Sequence, residues 1–219
     1  MAIRAPLADL ARDYEERSGQ RVLIESVGGV DAAARVQAGE PFDVVLLAQS
    51  AIDRLISAGH LLAGSRADLA RSGVAVAVRA GAPRVDIGSE AALERAVLGA
   101  RTIGYSTGPS GVELAKLFER WGIAELLRGR IVTPPPGVPV AALLARGEVD
   151  LGFQQLSELM NVEGVDVLGP LPPAIDIVTI FSGALGARSD RADAARTLLA
   201  FLSSSAAAET KRRHGMDPA

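Results

Sequence analysis

Along Ile103-Gly104-Tyr105-Ser106-Thr107-Gly108-Pro109-Ser110-Gly111-Val112-Glu113 the chain passes from an apolar run, through small and hydroxylated residues, into a helix-forming run. Leu114, Leu117, Phe118 and Trp121 then recur at helical spacing. A strand, a small-residue loop and a helix in that order form the repeating unit of an α/β protein. Outward from this stretch the alternation continues. Toward the N-terminus, Leu7, Leu10, Ala11 and Tyr14 predict a helix after Pro6 that stops at Gly19. Residues 21–26 read as a strand ending at Gly28-Gly29, 31–38 as a helix, 43–48 as a buried strand, 52–56 as a helix and 74–78 as a second buried strand. A helix over 90–98 precedes the opening stretch. Beyond it, helices fall at 140–145, 192–202 and 206–213, and strands at 149–153, 165–168 and 176–180. Strands separated by helices predict parallel sheets.

Glycine, proline and charge gather at 79–89 and mark a crossing between lobes, and the closing helices return the chain to the first lobe. The expected architecture is two α/β lobes, residues 1–79 with 178–219 and residues 80–177, with a ligand cleft between them. Pro134-Pro135-Pro136 is a stiff extended segment.

Composition removes several functions. The chain has 219 residues, with Lys plus Arg 23 against Asp plus Glu 26 and a net charge of −3. That balance argues against nucleic acid as a partner, since phosphate neutralisation needs a basic surplus. The absence of cysteine removes disulfides and thiolate chemistry, and two distant histidines, His60 and His214, make a histidine metal site improbable. No metal and no cofactor are expected. No apolar run is long enough to insert in a membrane. The N-terminus, Met1 to Pro6, lacks an apolar leader, which as written implies a cytoplasmic chain.

Anion recognition is the chemistry the loops suggest. Ser106, Thr107 and Ser110 offer hydroxyl donors, Gly111 lets a ligand approach the backbone, and the unpaired N–H groups of a helix start attract negative charge. The missing Gly-Lys-Ser/Thr excludes a P-loop. Ser110 to Glu113 equally fits a capping box, with Ser110 as N-cap and Glu113 reaching back. Ser26, Gly28 and Gly29 form a second helix opening of the same kind, which otherwise reads as a tight turn. Gln154 and Gln155 follow a buried strand, where amides either donate to a carboxylate or cap the next helix. Lys211-Arg212-Arg213 reads as a solvated helix end, and both histidines as surface caps.

The order of elements resembles the type 2 periplasmic substrate-binding fold, and in it the molybdate-binding receptors of ABC importers. The resemblance is carried by the run from Ala38-Gly39-Glu40-Pro41-Phe42-Asp43, by Arg146-Gly147-Glu148-Val149-Asp150-Leu151-Gly152, and by the closing Ala206-Ala207-Ala208 with His214-Gly215-Met216-Asp217-Pro218. It implies two lobes closing on an oxyanion held by hydroxyl and N–H groups. Three positions depart from that pattern. Val27-Gly28-Gly29 stands where the receptors carry serines, Gln155 where they carry a tyrosine, and Ala2, closely followed by Arg4, where they carry a further serine. Fewer hydroxyls and an added Arg suit a larger, planar carboxylate ligand. Residues 25–33, 104–111 and 151–159 resemble aconitate isomerases, which are similar to those receptors. The resemblance implies an allylic proton shift on a small polycarboxylate; the alternative is a non-catalytic receptor for molybdate, tungstate or a carboxylate, working with an ABC permease. Tyr105, Glu25, Asp31 and Glu113 are open choices for the base. The family opens with a strand before the helix near Pro6. Either that strand and a signal peptide lie upstream, making the protein periplasmic, or the first sheet lacks a strand.

Overall fold

The computed structural model describes residues 2–135 and 137–219, so Met1 of the N-terminal arm and Pro136 of the proline segment lie outside the described residues. The chain divides into two compact units: the stretch up to Ser72 with Thr179–Ala219, and Gly73–Val178. The first crossing falls inside a strand, ahead of the 79–89 segment where the composition changes. Val74 to Val78 pair with strands of the second unit, and the turn beyond them is held to that unit by the Gly81 N–H donating to Asp166 at 3.1 Å.

In the first unit, α1 (Arg4–Ser18) buries Pro6, Leu10, Ala11 and Tyr14 along one face. It stops at Gly19, whose φ of 69° suits glycine and whose N–H returns to the Glu15 carbonyl at 2.9 Å. Next come α2 (Gly29–Gln37), β1 (Val44–Ala48), α3 (Gln49–Ser57) and the start of β2 (Ala67–Arg79). β1 lies antiparallel to a late strand that returns the chain, in register from Val44 with Leu185 to Ala48 with Phe181. Leu10, Leu69, Leu185, Leu199 and Leu202 build one core cluster, and Val36, Val45, Leu47, Ile52 and Leu55 another.

The strand expected at 21–26 does not form. Residues 21–28 pair with no strand, and Leu23 is 87% exposed. Among the described residues this β-prone stretch is hydrogen-bonded into no ladder, and β propensity without a pairing neighbour does not make a strand.

In the second unit, Val74, Val76 and Val78 of β2 face one cluster while Ala75 and Ala77 face another, so the strand is covered on both sides. The elements are α4 (Glu90–Gly99), β3 (Ile103–Tyr105), α5 (Pro109–Arg120), α6 (Ala124–Leu127), β4 (Ile131–Val132), α7 (Val140–Arg146), β5 (Leu151–Gln155), α8 (Leu156–Leu159) and β6 (Val165–Pro170). The Ser89 hydroxyl caps α4 by accepting from the Ala92 N–H at 3.2 Å. The chain then returns through β7 (Val178–Leu185) to α9 (Ala192–Ser203), α10 (Ala208–Arg213) and β8 (Asp217–Pro218).

Parallel pairing holds for β3 with β4 and with β5. The pairs of β1 with β7, and of β2 with β5, β6 and β8, are antiparallel, which corrects the expectation of parallel sheets. Helical crossovers join β3 to its parallel neighbours, whereas the partners of β2 arrive from the opposite end.

Candidate functional site

The hydroxyl loop sits at the carboxyl end of β3. Tyr105 pairs in parallel with Phe153, so the loop leaves β3 at the same end of the sheet at which β5 runs on to Gln154 and Gln155. The carboxyl ends of adjacent parallel strands are where α/β proteins receive ligands. The helix start differs from the expected capping box. Gly108 is the N-cap and Pro109 the first helical residue, which places Ser110 inside the first turn without a capping hydrogen bond. Proline's fixed φ is pre-set for that first position. Glu113 does not reach back; it pairs with Lys116 at 2.8 Å on the exposed face. The N–H groups of Gly111 and Val112 donate to the Gly108 carbonyl, while those of Thr107 and Ser110 have no partner among the described residues. Gly111 is required by the loop itself, because a Cβ there would lie 1.6 Å from the Ser106 carbonyl oxygen. Tyr105 meets Phe118 edge-on at 6.0 Å, and burial pushes its phenol pKa up, so it stays a proton donor.

Gln154 and Gln155 are both buried at the end of β5. Neither caps α8 with its side chain. Gln154 accepts from the Ala141 N–H, at the start of α7, at 3.1 Å through its Oε1. That bond fixes the amide orientation and leaves its NH₂ to donate to Glu158, with which Gln154 is hydrogen-bonded. Burial raises the Glu158 pKa, and the Gln154 bond lowers it in part. The Ser157 hydroxyl beside it is buried with no hydrogen-bond partner among the described residues. Sequence reasoning missed Glu158, and no local spacing signals it, because Gln154 lies in β5 while Glu158 lies in α8.

Arg4, Ser26, Gly28 and Gly29 belong to the first unit. Arg4 opens α1, exposed and without an ion pair among the described residues, and Ser26 is exposed. Gly28 is the N-cap of α2. The Asp31 carboxylate already faces this opening, 3.3 Å from where a Gly28 Cβ would lie. Glu25 is bound by Arg35 at 2.6 Å, and Arg35 also grips Glu40. The second unit sets Ser106, Thr107, Ser110 and Gly111 after the carboxyl end of β3, and Gln154 and Gln155 at the carboxyl end of its parallel neighbour β5. The first unit sets its own candidates at two helix openings.

The basic end needs correction. Lys211 is 2% exposed, its Nζ has no partner among the described residues, and it lines an apolar cavity with Ile3, Leu7, Leu10, Leu46 and Met216. Arg212 and Arg213 are solvated as expected. His214 ends α10, but its Nε2 also meets Asp9 of α1 at 2.9 Å and holds that carboxyl below its usual range. Among the described residues no group of three His, Cys, Asp or Glu could hold a metal ion, and no helix is long and apolar enough to cross a membrane.

A family model described as bacterial extracellular solute-binding protein matches residues 1–217. An aconitate isomerase from Pseudomonas sp is 38% identical over 99% of this chain and 84% of its own length. A molybdate-binding protein from Azotobacter vinelandii is 26% identical over 71% of this chain and 62% of its own. The solved structure of the periplasmic molybdate-binding protein of Azotobacter vinelandii superposes with a TM-score of 0.81 at 21% identity, covering 98% of this chain and 95% of that one.

Proposed function

Because the chain belongs to the bacterial extracellular solute-binding protein family, we propose that it binds a small polycarboxylate and moves its double bond, as an aconitate isomerase does. The observation that carries this reading is the 38% identity to the Pseudomonas sp aconitate isomerase along 99% of the chain. The residues agree with it chemically. Amides at Gln154 and Gln155 and the hydroxyls at Ser106, Thr107 and Ser110 can hold carboxylates at the carboxyl ends of β3 and β5. An allylic shift builds negative charge on the substrate, which fixed donors and helix N-termini stabilise without reorganising.

The second reading is a receptor that binds and does not turn over. The family's description and the 26% identity to a molybdate-binding protein favour it. It implies export to the periplasm and an ABC permease as partner.

Cis-aconitate incubated with the protein in D₂O and followed by proton NMR separates the two. Accumulation of the trans isomer above the blank, with deuterium at the methylene and vinylic positions, supports the isomerase; tight binding with no change in isomer or isotope supports the receptor. A thermal-shift panel ranks the ligands. Aconitate at 100 times its dissociation constant should add about 2.7 kcal/mol of stability, with molybdate, tungstate and sulfate giving smaller shifts. A larger shift with molybdate reverses the ranking.

A further inference from the structure

We propose that the first unit carries a second, separate site for a small aliphatic monocarboxylate, in the cavity lined by Arg188, His60 and the turn that follows α2.

Three segments of that unit are fastened around a cavity of about 50 Å³: the turn at 39–42, the turn at 59–61 after α3, and residues 186–188 after β7. The Gly186 N–H donates to the Asp43 carbonyl at 3.0 Å, and the Ala187 N–H donates to the His60 carbonyl at 3.1 Å. Leu61 also bridges to Gly186. A Cβ on Gly186 would lie 1.9 Å from the Phe42 carbonyl oxygen, so only glycine lets these chains approach. The walls are therefore set by backbone contacts and not by flexible side chains alone.

The chemistry of the lining is divided. Val36, Val45 and Leu61 are buried and give an apolar floor. Phe42 packs against them, its ring held by the Arg35 guanidinium 5.1 Å from the ring centre. Arg35 also grips Glu40 at 2.6 Å, so the one carboxylate in the lining is already neutralised and is not free to hold a cation. Arg188 is different. It makes no ion pair among the described residues, and its Nη1 stands 3.4 Å from where a Gly39 Cβ would lie, which brings the guanidinium over the end of α2. His60 is half-buried, and its ring makes no hydrogen bond among the described residues. A donor-only fork above an apolar floor suits a carboxylate with a short alkyl tail, the oxygens on Arg188 and the tail against Val36, Val45 and Leu61. His60 can supply a second donor. Size sets the class. A water needs about 10–15 Å³ of such space, so the cavity admits roughly three to five groups of that size, as in acetate or propionate, and a tricarboxylate is too large. The site lies wholly in the first unit and does not depend on the isomerase reading.

The test titrates sodium propionate into the intact chain and reads binding by saturation-transfer difference NMR, beside propylammonium, which has a similar length and the opposite charge. Propionate should saturate with a millimolar dissociation constant, and propylammonium should not. R188A, at an exposed position, should weaken propionate by about tenfold or more, since a charge-assisted pair is lost, and H60A by about threefold. R188E should abolish binding. All three variants should handle cis-aconitate as the wild type does. An unchanged propionate constant in R188A overturns the site, as does equal binding of propylammonium. Displacement of propionate by excess cis-aconitate also overturns it, because the two acids would then share one site. Absence of saturable propionate binding overturns the proposal and leaves the isomerase reading untouched.

Discussion

The loop at 106–111 and the segment at 26–31 read alike in sequence, each a β-prone run followed by small residues and a helix, yet they fold differently. The first leaves a strand held between β4 and β5, runs into a helix whose Leu114, Leu117 and Phe118 are buried, and closes so tightly that Gly111 touches the Ser106 carbonyl. The second leaves residues that join no strand among the described residues, exposes Leu23, Val27 and Val30, and enters α2 with only Val36 buried. A helix opening becomes a fixed array of donors when the strand before it is pinned. Without that strand the same composition gives an opening that Asp31 covers with its own charge.

Substitutions can break or sharpen this contrast. The largest effect should come from Leu114→Ala, which removes a fully buried side chain of α5, the helix that follows the 106–111 loop, and should cost about 2–5 kcal/mol in denaturant unfolding. Leu23→Ala in the other segment should stay within about 0.5 kcal/mol; a cost comparable to that of Leu114→Ala would mean that 21–28 is packed in solution. Gly111→Ala forces a Cβ against backbone and should cost about 1–3 kcal/mol, with ligand affinity falling alongside because the loop must open. Gly29→Ala meets nothing nearer than Leu47 at 3.8 Å and should be neutral or stabilising by up to about 1 kcal/mol. A destabilising Gly29→Ala would show that the α2 opening is as constrained as that of α5.

The smallest effect is a pH dependence at the base of β3. The Asp150 carboxylate accepts from the Arg101 guanidinium at 3.0 Å, its backbone N–H donates to the Thr102 hydroxyl oxygen at 2.9 Å, and Arg101 holds the carboxyl below the usual carboxylate range. A depressed carboxylate pKa gives stability that is present above the ordinary carboxylate range and is lost as pH falls through the folded value. Protection from hydrogen exchange at the Arg101 and Thr102 amides, corrected for the intrinsic rate at each pH, should fall on acidification in that window, while residues 21–28 stay unprotected throughout. Insensitivity of β3 to acid would remove Asp150 from its support.

Local pattern was a good guide where burial follows sequence spacing. The faces of α1 and α5 and the apolar runs of β1, β2 and β5 could be read because their partners cover them uniformly. Residues 21–26 carried the same β-forming side chains as β1, but strand formation depends on a neighbour that no local spacing encodes. The direction of β2 against β5 and β6 was hidden for the same reason. Ser110 was misread as an N-cap because the fixed φ of Pro109 starts the helix earlier. In the site, the hydroxyls and amides were visible as residue types. The coupling of Gln154 to Ala141 and Glu158 depends on a helix thirteen residues away and was not.

The burial of Lys211 gives the molecule a chemical clock. Lys116 and Lys211 are the chain's only lysines. The first stands in solvent beside Glu113, and the second is shut in an apolar cavity against α1. Burial lowers the Lys211 pKa and favours its uncharged, nucleophilic amine, yet no reagent reaches it while α10 is seated. Acylation of Lys116 therefore measures the reagent. Acylation of Lys211, read by peptide mapping of the same sample, counts how often the C-terminal helix lifts from the protein.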